Sequence, residues 1–370
     1  MTMIEYIQAR ENSTSKCETF YEKIDQKPYF PFLIANSKDE DSIKKVAAEL
    51  VHCNKVECSD LSIERVSGGN TNALFKVEKV AGGITNQLYK VNMPSEKVLV
   101  RIFGAAGMID RDQENATYAA LAAKGYAPPY YGRFSNGRIE GWLDMRTMET
   151  HEMGNYATQI AEKLAKIHAN FVLDTEEVPS LWNQLNSWMK QALAVVFQDN
   201  LEESLLNELQ LESILSDLKS LQDSFNHEDY KTAFCHNDLL AANILVSSDE
   251  TDIQLIDFEY GGQNYIAFDI ANHFNEYAGG TDNGIPNYDW YPTFEKQQNF
   301  IRAYLKASLD VDPTEKDVNK LHEEVEAFVL VNHLYWGLWA VNQAYTEGCS
   351  EFNYLLYAKH RIFQYLKLKP

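Results

Sequence analysis

The chain has 370 residues, enough for two lobes or one large fold. Its 54 acidic and 33 basic side chains give a formal net charge of −21, which repels nucleic acid and anionic membranes, so an anionic substrate must meet a local positive site or arrive with a metal. No apolar run approaches the roughly 20 residues that span a bilayer, and five cysteines without metal-type spacing are typical of free thiols, so we expect a cytoplasmic protein.

The first part of the sequence predicts mostly β structure. Residues 1–60 form an extension with little chemistry, in which 43–51 has a helical period. The β-rich runs at 61–103, separated by Gly-Asn turns, predict an antiparallel sheet. Two similar segments lie inside it, SGGNTNALFKV at 67–77 and AGGITNQLYKV at 81–91, and each is typical of a turn followed by a strand.

Helical patterns dominate the rest of the chain. A helix is predicted at 111–125, where Gly125 and two prolines end the pattern. RIEGWL at 138–143 is a short strand or linker and the best candidate for a boundary between lobes. Amphipathic stretches at 157–171 and 201–225 predict further helices, and one strand–loop–strand segment interrupts them.

The order of sheet first and helices after predicts an α+β, two-lobed fold, with an N-terminal antiparallel β lobe and a larger helical C-terminal lobe. The predicted parts are a partly helical extension at 1–60, an N-lobe with the sheet and one helix at 61–143, and a helical C-lobe at 144–370.

The strand–loop–strand segment carries the chemistry. CHNDLLAANIL at 235–245 is followed by QLIDFEY at 254–260, so that Asp238, Asn243 and Asp257 lie between apolar runs. Phosphoryl transfer needs a carboxylate to accept the proton of an alcohol and oxygen ligands for Mg²⁺. Protein kinases use the same spacing of a loop aspartate, an asparagine five residues later and an Asp-Phe pair. The pattern predicts Asp238 as base and Asn243 and Asp257 as metal ligands.

Two neighbours have more than one interpretation. His236 is either catalytic or a structural residue that bonds to backbone, and we favour the structural role. Glu259 either supports the metal or forms a salt bridge at the end of a strand. The plainest alternative for the whole segment is a hairpin that happens to hold polar residues.

The same segment resembles the choline/ethanolamine kinase family, and similar sequence extends from about residue 61 to residue 369. The resemblance implies the protein-kinase-like fold that this family shares with aminoglycoside phosphotransferases. It also implies ATP and Mg²⁺ as cofactors. Choline kinases of the family are dimers, so a homodimer is expected from the resemblance alone.

The family's glycine turn resembles the second repeat, because that copy leads directly into the next two strands. Backbone N–H groups at such a turn can cradle phosphates, and glycine allows a close approach. The first copy is then an added turn or a plain hairpin loop. The turn residues implied to contact the nucleotide are Gly82, Gly83, Thr85 and Asn86.

Other nucleotide contacts are implied by position. Arg101 in VLVRIFG resembles the strand lysine of protein kinases and is expected to contact the phosphates. Glu114 in the next helix is expected to pair with Arg101, the alternative being an ordinary surface ion pair. RIEGWL resembles the hinge that receives adenine through the backbone of Glu140 and Leu143.

The acceptor pocket is implied by the segments that follow. Asp269 resembles the family's buried aspartate that braces the catalytic loop. Asn272 and Glu276 share one helix face, and the carboxylate suits an ammonium group, unless Glu276 is simply solvated. Trp336 and Trp339 offer indole faces to the same group, although without the resemblance they would be core. Other aromatic residues that match the pocket, or else pack in the core, are Tyr260, Phe352 and Tyr357.

The substrate is a small aminoalcohol, with no nucleic acid and no stable membrane insertion. HNDLL, NHFNEYAG and VLVRIFG resemble the ethanolamine branch, whereas choline kinases usually carry Cys-Gln after the HND. A primary ammonium favours carboxylates and a trimethylammonium favours aromatic walls, and the sequence offers both. The preference for ethanolamine, and for phosphoethanolamine as a precursor of phosphatidylethanolamine, therefore depends on the resemblance.

Four alternatives accompany this prediction. They are a choline kinase, an aminoglycoside- or sugar-type phosphotransferase, a catalytically silent nucleotide-binding module and a protein kinase. The second would share the Asp238 loop but not the tryptophan pair with Glu276. The base and both metal ligands are present, which argues against a silent module. No Ala-Pro-Glu ending follows Asp257, which argues against a protein kinase.

Overall fold

The structure is a computed structural model whose chain divides into two compact units. The first unit ends at Leu143 and the second continues from Asp144, and we call them the N-terminal and the C-terminal unit. The residues that the structure describes are 29–32, 34, 40–51, 62–66, 86–93, 96–103, 110–173, 178–350 and 352–369.

A six-stranded sheet forms the scaffold of the N-terminal unit. Its strands are β1 (Tyr29–Phe30), β2 (Ser62–Val66), β3 (Asn86–Asn92), β4 (Lys97–Phe103), β5 (Tyr130–Phe134) and β6 (Gly137–Gly141). They lie in the order β1-β5-β6-β4-β3-β2, and β1 pairs with β5 in parallel while the other neighbours are antiparallel. The predicted antiparallel sheet is thus confirmed for β2, β3 and β4, and the predicted strand at 73–80 lies outside the described residues.

Helix α1 (Glu40–Leu50) covers one face of this sheet. Apolar side chains recur along it every three or four residues, and this stripe is buried against strand residues that alternate with a period of two. The residues of this core are Ile34, Ile43, Val46, Ala47, Leu50, Tyr89, Val91, Met93, Val98, Val100, Ile102, Phe134 and Ile139.

Helix α2 (Arg111–Ala123) begins at the predicted residue and ends just before the predicted stop signal, Gly125. The Oδ1 atom of Asp110 accepts hydrogen bonds from the N–H groups of Asp112 (3.0 Å) and Gln113 (3.2 Å), which caps the first turn. Gly125 follows the last turn with φ +77°, a backbone conformation that favours glycine.

The C-terminal unit is mostly helical. Its helices are α3 (Ala157–Asn170), α4 (Leu181–Ala192), α5 (Asn200–Glu208), α6 (Leu211–Ser224), α7 (Ile266–Glu276), α8 (Phe294–Leu309), α9 (Glu315–Glu347) and α10 (Tyr354–Leu368). Its strands are β7 (Met145–Thr147), β8 (Thr232–Cys235), β9 (Ile244–Ser247), β10 (Ile253–Leu255) and β11 (Gly262–Tyr265). Together the units confirm the α+β class.

Two small antiparallel sheets hold the predicted strand–loop–strand segment. Strand β8 pairs with β11, and β9 lies between β7 and β10. The loop at 236–243 therefore leaves one sheet and enters the other. Because the β9–β10 hairpin ends just before Asp257, the loop and this residue are anchored by buried strands.

The acidic stretch at 201–225 forms two helices. Helix α5 ends at Glu208 and α6 begins at Leu211, and Gln210 between them has a left-handed backbone with φ +51°. The periodicity predicted helical structure correctly, but a non-glycine residue in this conformation breaks the helix without a sequence signal.

The longest helix, α9, changes its surroundings along its length. Near its start the buried positions are Val318, Leu321 and Val325, which form one stripe, whereas every residue from 331 to 344 is buried. Helix α9 packs against α7 and α10, and Asn332 in its second half bonds to Asn275 on α7 and to Arg361 on α10. None of the helices among the described residues is both long and apolar enough to cross a bilayer.

Candidate active site

One buried carboxylate holds the loop at 236–243. The Oδ1 and Oδ2 atoms of Asp269 on α7 accept hydrogen bonds from the backbone N–H groups of Asn237 and His236, each at 2.7 Å. The Nε2 atom of His168 on α3 lies 3.0 Å from the same Oδ2. Burial alone would raise the pKa of Asp269, but the hydrogen bond and charge of His168 hold it below its ordinary value. A charged acceptor therefore fixes the start of the loop.

Side chains of α7 and the loop fix its middle. The N–H of Leu239 donates to Oδ1 of Asn272 (2.8 Å), and Nδ1 of His273 lies 3.1 Å from the Leu239 carbonyl oxygen. The Nε2 atom of His236 lies 2.9 Å from the carbonyl oxygen of Ile256, which ties the loop to the segment after β10. This contact to backbone is of the structural kind that we predicted for His236.

Three predicted polar residues meet at this loop. The Nδ2 atom of Asn243 donates to the backbone oxygen of Asp238 (2.8 Å) and to its Oδ2 (3.2 Å). The N–H of Ile256 donates to the Asn243 carbonyl oxygen (3.0 Å), which brings the next residue, Asp257, to the same place. Because the amide nitrogen of Asn243 faces Asp238, its amide oxygen is the atom that a metal would meet. With the Asp257 carboxylate it makes an oxygen donor set that fits Mg²⁺.

Two residues of this region have left-handed backbones. Asn237 has φ +65° and Asp257 has φ +63°. Non-glycine residues adopt this conformation at a cost of about 1–2 kcal/mol, and such residues cluster where a site must hold a particular geometry. The loop contacts and the strands on either side keep both residues in this conformation.

The charge around Asp238 is strongly negative. Loss of hydration raises the pKa of this carboxyl well above its ordinary value, and the carboxylates of Glu276, Glu259 and Asp257 raise it further. Four acidic side chains that act on one another in this way form a site suited to cations. The net charge led us to expect that an anionic substrate needs either a local positive site or a metal. A cluster of carboxylates that suits a cation is consistent with the second.

An aromatic cluster adjoins the loop. The rings of Trp336 and Trp339 on α9 lie 5.3 Å apart at 75°, and Tyr260 lies 5.3 Å from Trp336 at 76°. The Nε1 of Trp339 donates to the Tyr260 hydroxyl (2.8 Å), while the buried Nε1 of Trp336 has no hydrogen-bond partner among the described residues.

Two further predicted pocket residues extend this cluster on α10 and before it. Phe352 lies 4.9 Å from Tyr354 and 5.9 Å from Tyr357, and Tyr354 lies 5.6 Å from Trp339. All five predicted aromatic residues are therefore connected through ring contacts within the C-terminal unit.

Glu276 carries a partner that the sequence did not suggest. Its Oε1 accepts a hydrogen bond at 2.9 Å from Arg361, which is 1% exposed and also contacts Tyr357 and Asn332. Glu276 is buried, so the alternative of a solvated helical glutamate is wrong. Its carboxylate is paired in the structure and does not stand alone as an ammonium partner.

A buried ion network occupies the N-terminal unit. Glu140 on β6 accepts hydrogen bonds through Oε1 from the Nε atoms of Arg101 and Arg138, both at 2.7 Å. Glu114 on α2 accepts from Arg138 and Arg111, each at 2.7 Å. Burial alone would raise the pKa of Glu140, but Arg101 and Arg138 lower it to about 2. The two glutamates therefore act as charged anchors for three arginines.

This network changes two expectations. Glu114 is buried, so a plain surface ion pair is wrong, and the hydrogen bonds just described join it to Arg111 and Arg138, with Arg101 near enough to affect its pKa. For Glu140 we expected a backbone contact alone, yet its carboxylate is central to the network. Leu143 follows β6 as the last residue of this unit.

Part of the predicted nucleotide turn cannot be placed. Gly82, Gly83 and Thr85 lie outside the described residues. Asn86 is described and is buried at the start of β3. The choice between the two Gly-Gly turns therefore stays a prediction.

Several residues of the site were missed from the sequence. Arg138, His168 and Arg361 bond directly to predicted residues, and Asn332 bonds to Arg361. Only Arg138 carried a usable signal, because an arginine two residues from Glu140 on one strand lies on the same face and suggests a pair.

Comparison with known proteins is consistent with these features. The family model described as choline/ethanolamine kinase matches residues 63–366. The chain is 33% identical over 320 residues to the probable ethanolamine kinase of Arabidopsis thaliana, covering 85% of this chain and 82% of that protein. It is 31% identical over 317 residues to probable choline kinase 3 of the same plant, covering 84% and 87%. The solved structure of Plasmodium vivax ethanolamine kinase superposes with a TM-score of 0.74 at 25% identity, covering 94% of this chain and 93% of that one.

The fold and the family match define a kinase of the protein-kinase-like fold, as predicted. The chain belongs to the choline/ethanolamine kinase family. Relatives named for ethanolamine and for choline occur at similar identity, so the comparisons leave the acceptor open.

Proposed function

We propose that this chain transfers the γ-phosphate of ATP to the hydroxyl group of ethanolamine, giving phosphoethanolamine, a precursor of phosphatidylethanolamine. The observation that carries the proposal is the seat of Asp238. Its loop is braced by Asp269, and its side chain accepts a hydrogen bond from Asn243. The preceding residue, Asn237, donates through Nδ2 to the carbonyl oxygen of Tyr260 (2.8 Å), where the aromatic cluster begins.

In the proposed reaction Asp238 accepts a hydrogen bond from the acceptor's hydroxyl and takes its proton. The oxygen forms a bond to the γ-phosphorus as the bond to the β-phosphate oxygen breaks, and ADP leaves. A pKa raised by burial and by neighbouring carboxylates makes Asp238 a better base than an exposed aspartate. The rigid loop supplies the alignment on which this kind of reaction depends.

The metal would be held by Asn243 and Asp257. When bound, Mg²⁺ neutralises the charge of the phosphates. For the nucleotide we propose the turn that includes Gly82, Gly83, Thr85 and Asn86, the guanidinium of Arg101, and the backbone of Glu140 and Leu143. The ion pair between Arg101 on β4 and Glu140 on β6 supports this assignment, because it holds the guanidinium of Arg101 in one position on the sheet.

The acceptor's ammonium group is proposed to lie against Trp336, Trp339 and Tyr260, beside Glu276. Choline is the second candidate, and the aromatic cluster favours it, because a trimethylammonium group gains most from ring faces. Ethanolamine is preferred because its primary ammonium can also donate hydrogen bonds to Glu276.

Steady-state kinetics with ATP and a panel of alcohols tests the acceptor. We expect turnover with ethanolamine, a lower kcat/KM with choline, and none with aminoglycosides. A higher kcat/KM for choline would reverse the order of the two candidates, and turnover of an aminoglycoside alone would remove both.

Replacing Asp238 by asparagine tests the base. Because general-base catalysis contributes about 10²–10⁴-fold, kcat should fall by that range while KM for ATP changes little. Thermal unfolding of the variant controls for folding. A folded Asp238→Asn variant with full turnover would contradict the assignment.

We also infer a cytoplasmic location. The two cysteines among the described residues, Cys235 and Cys349, are free thiols, as expected in a reducing compartment. Localisation of the tagged chain by fluorescence microscopy checks this.

A further inference from the structure

A single guanidinium lies behind the proposed acceptor pocket and contacts three of its walls. Arg361 on α10 donates through Nη1 to Oε1 of Glu276 on α7 (2.9 Å) and to the hydroxyl of Tyr357 (3.1 Å). Through Nη2 it donates to Oδ1 of Asn332 on α9 (2.7 Å), one helical turn before Trp336. Three helices that supply predicted pocket residues are therefore joined at one charged side chain.

The side chains around this guanidinium are buried. Arg361, Glu276 and Asn332 are 1%, 3% and 0% exposed. Asn332 Oδ1 also accepts from Asn275 (2.9 Å), the neighbour of Glu276 on α7. A planar guanidinium can serve these acceptors at the same time, whereas the ammonium group of lysine cannot reach the same set with one geometry.

Arg361 divides the two oxygens of Glu276. Arg361 donates to Oε1. Oε2 has no hydrogen-bond partner among the described residues, and it is not one of the fully buried polar atoms without a partner, so it keeps some accessible surface. Burial raises the pKa of Glu276, and the charge of Arg361 opposes that shift and favours the carboxylate. The pair therefore offers one fixed carboxylate oxygen while its total charge stays near zero.

We propose that Arg361 is a positioning residue for acceptor binding, which holds Oε1 of Glu276 so that Oε2 is presented to the ammonium group of the aminoalcohol. This inference rests on the proposed function, because it takes Glu276 as the ammonium partner. It adds a residue that never touches the acceptor but sets the orientation and charge of the residue that does.

Kinetics of Arg361→Met, Arg361→Lys and Glu276→Gln test this role. For Arg361→Met we expect KM for ethanolamine to rise by about 10-fold or more, with kcat within about 3-fold and KM for ATP unchanged. Arg361→Lys keeps the charge but loses the fork, so its KM should rise less. Arg302→Met, which removes an exposed arginine paired with Glu315, is the matched control and should leave all constants unchanged.

The double variant separates positioning from general support of the fold. Because Arg361 acts through Glu276, the variant with both Arg361→Met and Glu276→Gln should have the KM of Glu276→Gln alone. Effects that multiply, or a lower melting temperature with an unchanged KM, would overturn the proposal. If Arg361→Met does not fold, Arg361→Lys decides by the same rule, since an unchanged KM in that folded variant also overturns it.

Failure of the proposed function is read on the wild-type enzyme before any variant. If wild type shows no ATP-dependent phosphorylation of ethanolamine or choline, both proposals fall together. If wild type is active but the Arg361 variants keep its KM, the positioning role alone is lost.

Discussion

At the scale of single residues, the conformation of the loop at 236–243 depends on the two hydrogen bonds that one carboxylate accepts. Asp269 accepts hydrogen bonds from the N–H groups of His236 and Asn237, and these two bonds fix the backbone directly before Asp238. An acceptor that serves two donors inside the protein is costly to replace, because each buried N–H left without a partner carries its own desolvation cost.

Replacing Asp269 by asparagine should therefore weaken both stability and catalysis. One oxygen would become an amide N–H₂ facing a backbone N–H, and we expect a loss of about 2–3 kcal/mol in the free energy of unfolding together with a lower kcat. Denaturant unfolding and steady-state kinetics measure the two effects.

The matched control is Asp252→Asn, which removes an ion pair between Lys163 and a carboxylate that is 64% exposed. Exposed pairs contribute about 0–1 kcal/mol, so this variant should resemble wild type. Equal effects of the two substitutions would contradict the special role of Asp269.

Single residues were predictable where spacing carried the chemistry. Asp238 and Asp257 come after apolar strands and Asn243 comes directly before one, so the apolar pattern made it possible to expect that they meet. Arg361 could not be, because its partner Glu276 lies 85 positions earlier on another helix. The burial of such a pair depends on how helices pack, which a single sequence does not encode locally.

At the scale of elements, strand β6 has an unusual content. It buries Arg138 and Glu140, which are two residues apart and so share one face of the strand, and Arg101 on the neighbouring strand β4 bonds to the carboxylate of Glu140. The mutual attraction of these charges offsets their loss of hydration only while all partners remain. The strand therefore behaves as a charged core that acid can disrupt.

The pKa of Glu140 predicts how acid acts on this strand. Its folded value of about 2 lies below the ordinary 4.5, so the unfolded chain binds more protons between these values. The stabilisation is complete above pH 4.5 and is lost as pH falls toward 2, by roughly 3 kcal/mol in total.

Unfolding in urea at a series of pH values from neutral to about 3 checks this dependence. In Glu140→Gln the stability should be lower at neutral pH and should fall less steeply in acid, because the titrating group is gone. An acid slope identical to that of wild type would assign the effect to other carboxylates.

Regular elements followed the sequence closely where periodicity and end signals agreed, as in α2 between Asp110 and Gly125. The acidic stretch shows the limit, because periodicity continued across Gln210 while the backbone did not. The left-handed backbone of Gln210 separates α5 from α6, yet the sequence around it keeps the pattern of a helix.

At the scale of the whole molecule, the dominant feature is the net charge of −21. Negative side chains outnumber positive ones in the chain by 21, and Arg101, Arg138 and Arg361 are buried with glutamates. Self-repulsion among surface carboxylates destabilises a compact state, and salt reduces it over distances beyond the Debye length of about 10 Å at 0.1 M.

Salt should therefore stabilise this protein. Between about 10 and 200 mM sodium chloride we expect the melting temperature to rise by a few degrees, because screening weakens repulsion more than it weakens the buried pairs. Differential scanning calorimetry measures the change, and sucrose at matched osmolarity serves as the uncharged control. A fall in melting temperature would show that surface ion pairs outweigh repulsion.

The whole fold was predictable because sheet and helix patterns were segregated along the chain and because one loop matched a known arrangement. The identity of the acceptor was not predictable. Ethanolamine and choline would be distinguished by the contacts of only a few side chains, and the same aromatic residues suit both.

Helix α9 is continuous over 33 residues, so the directions in which side chains point from its first and second halves are fixed relative to each other. Each residue turns the helix by about 100°. Deleting one exposed residue from its first half, such as Glu323, would leave either the early stripe or the tryptophan pair pointing away from its present neighbours. A deletion or insertion far from any pocket would thus abolish activity by rotating one half of the helix relative to the other. Changes in the length of this helix should therefore be tolerated far less than substitutions.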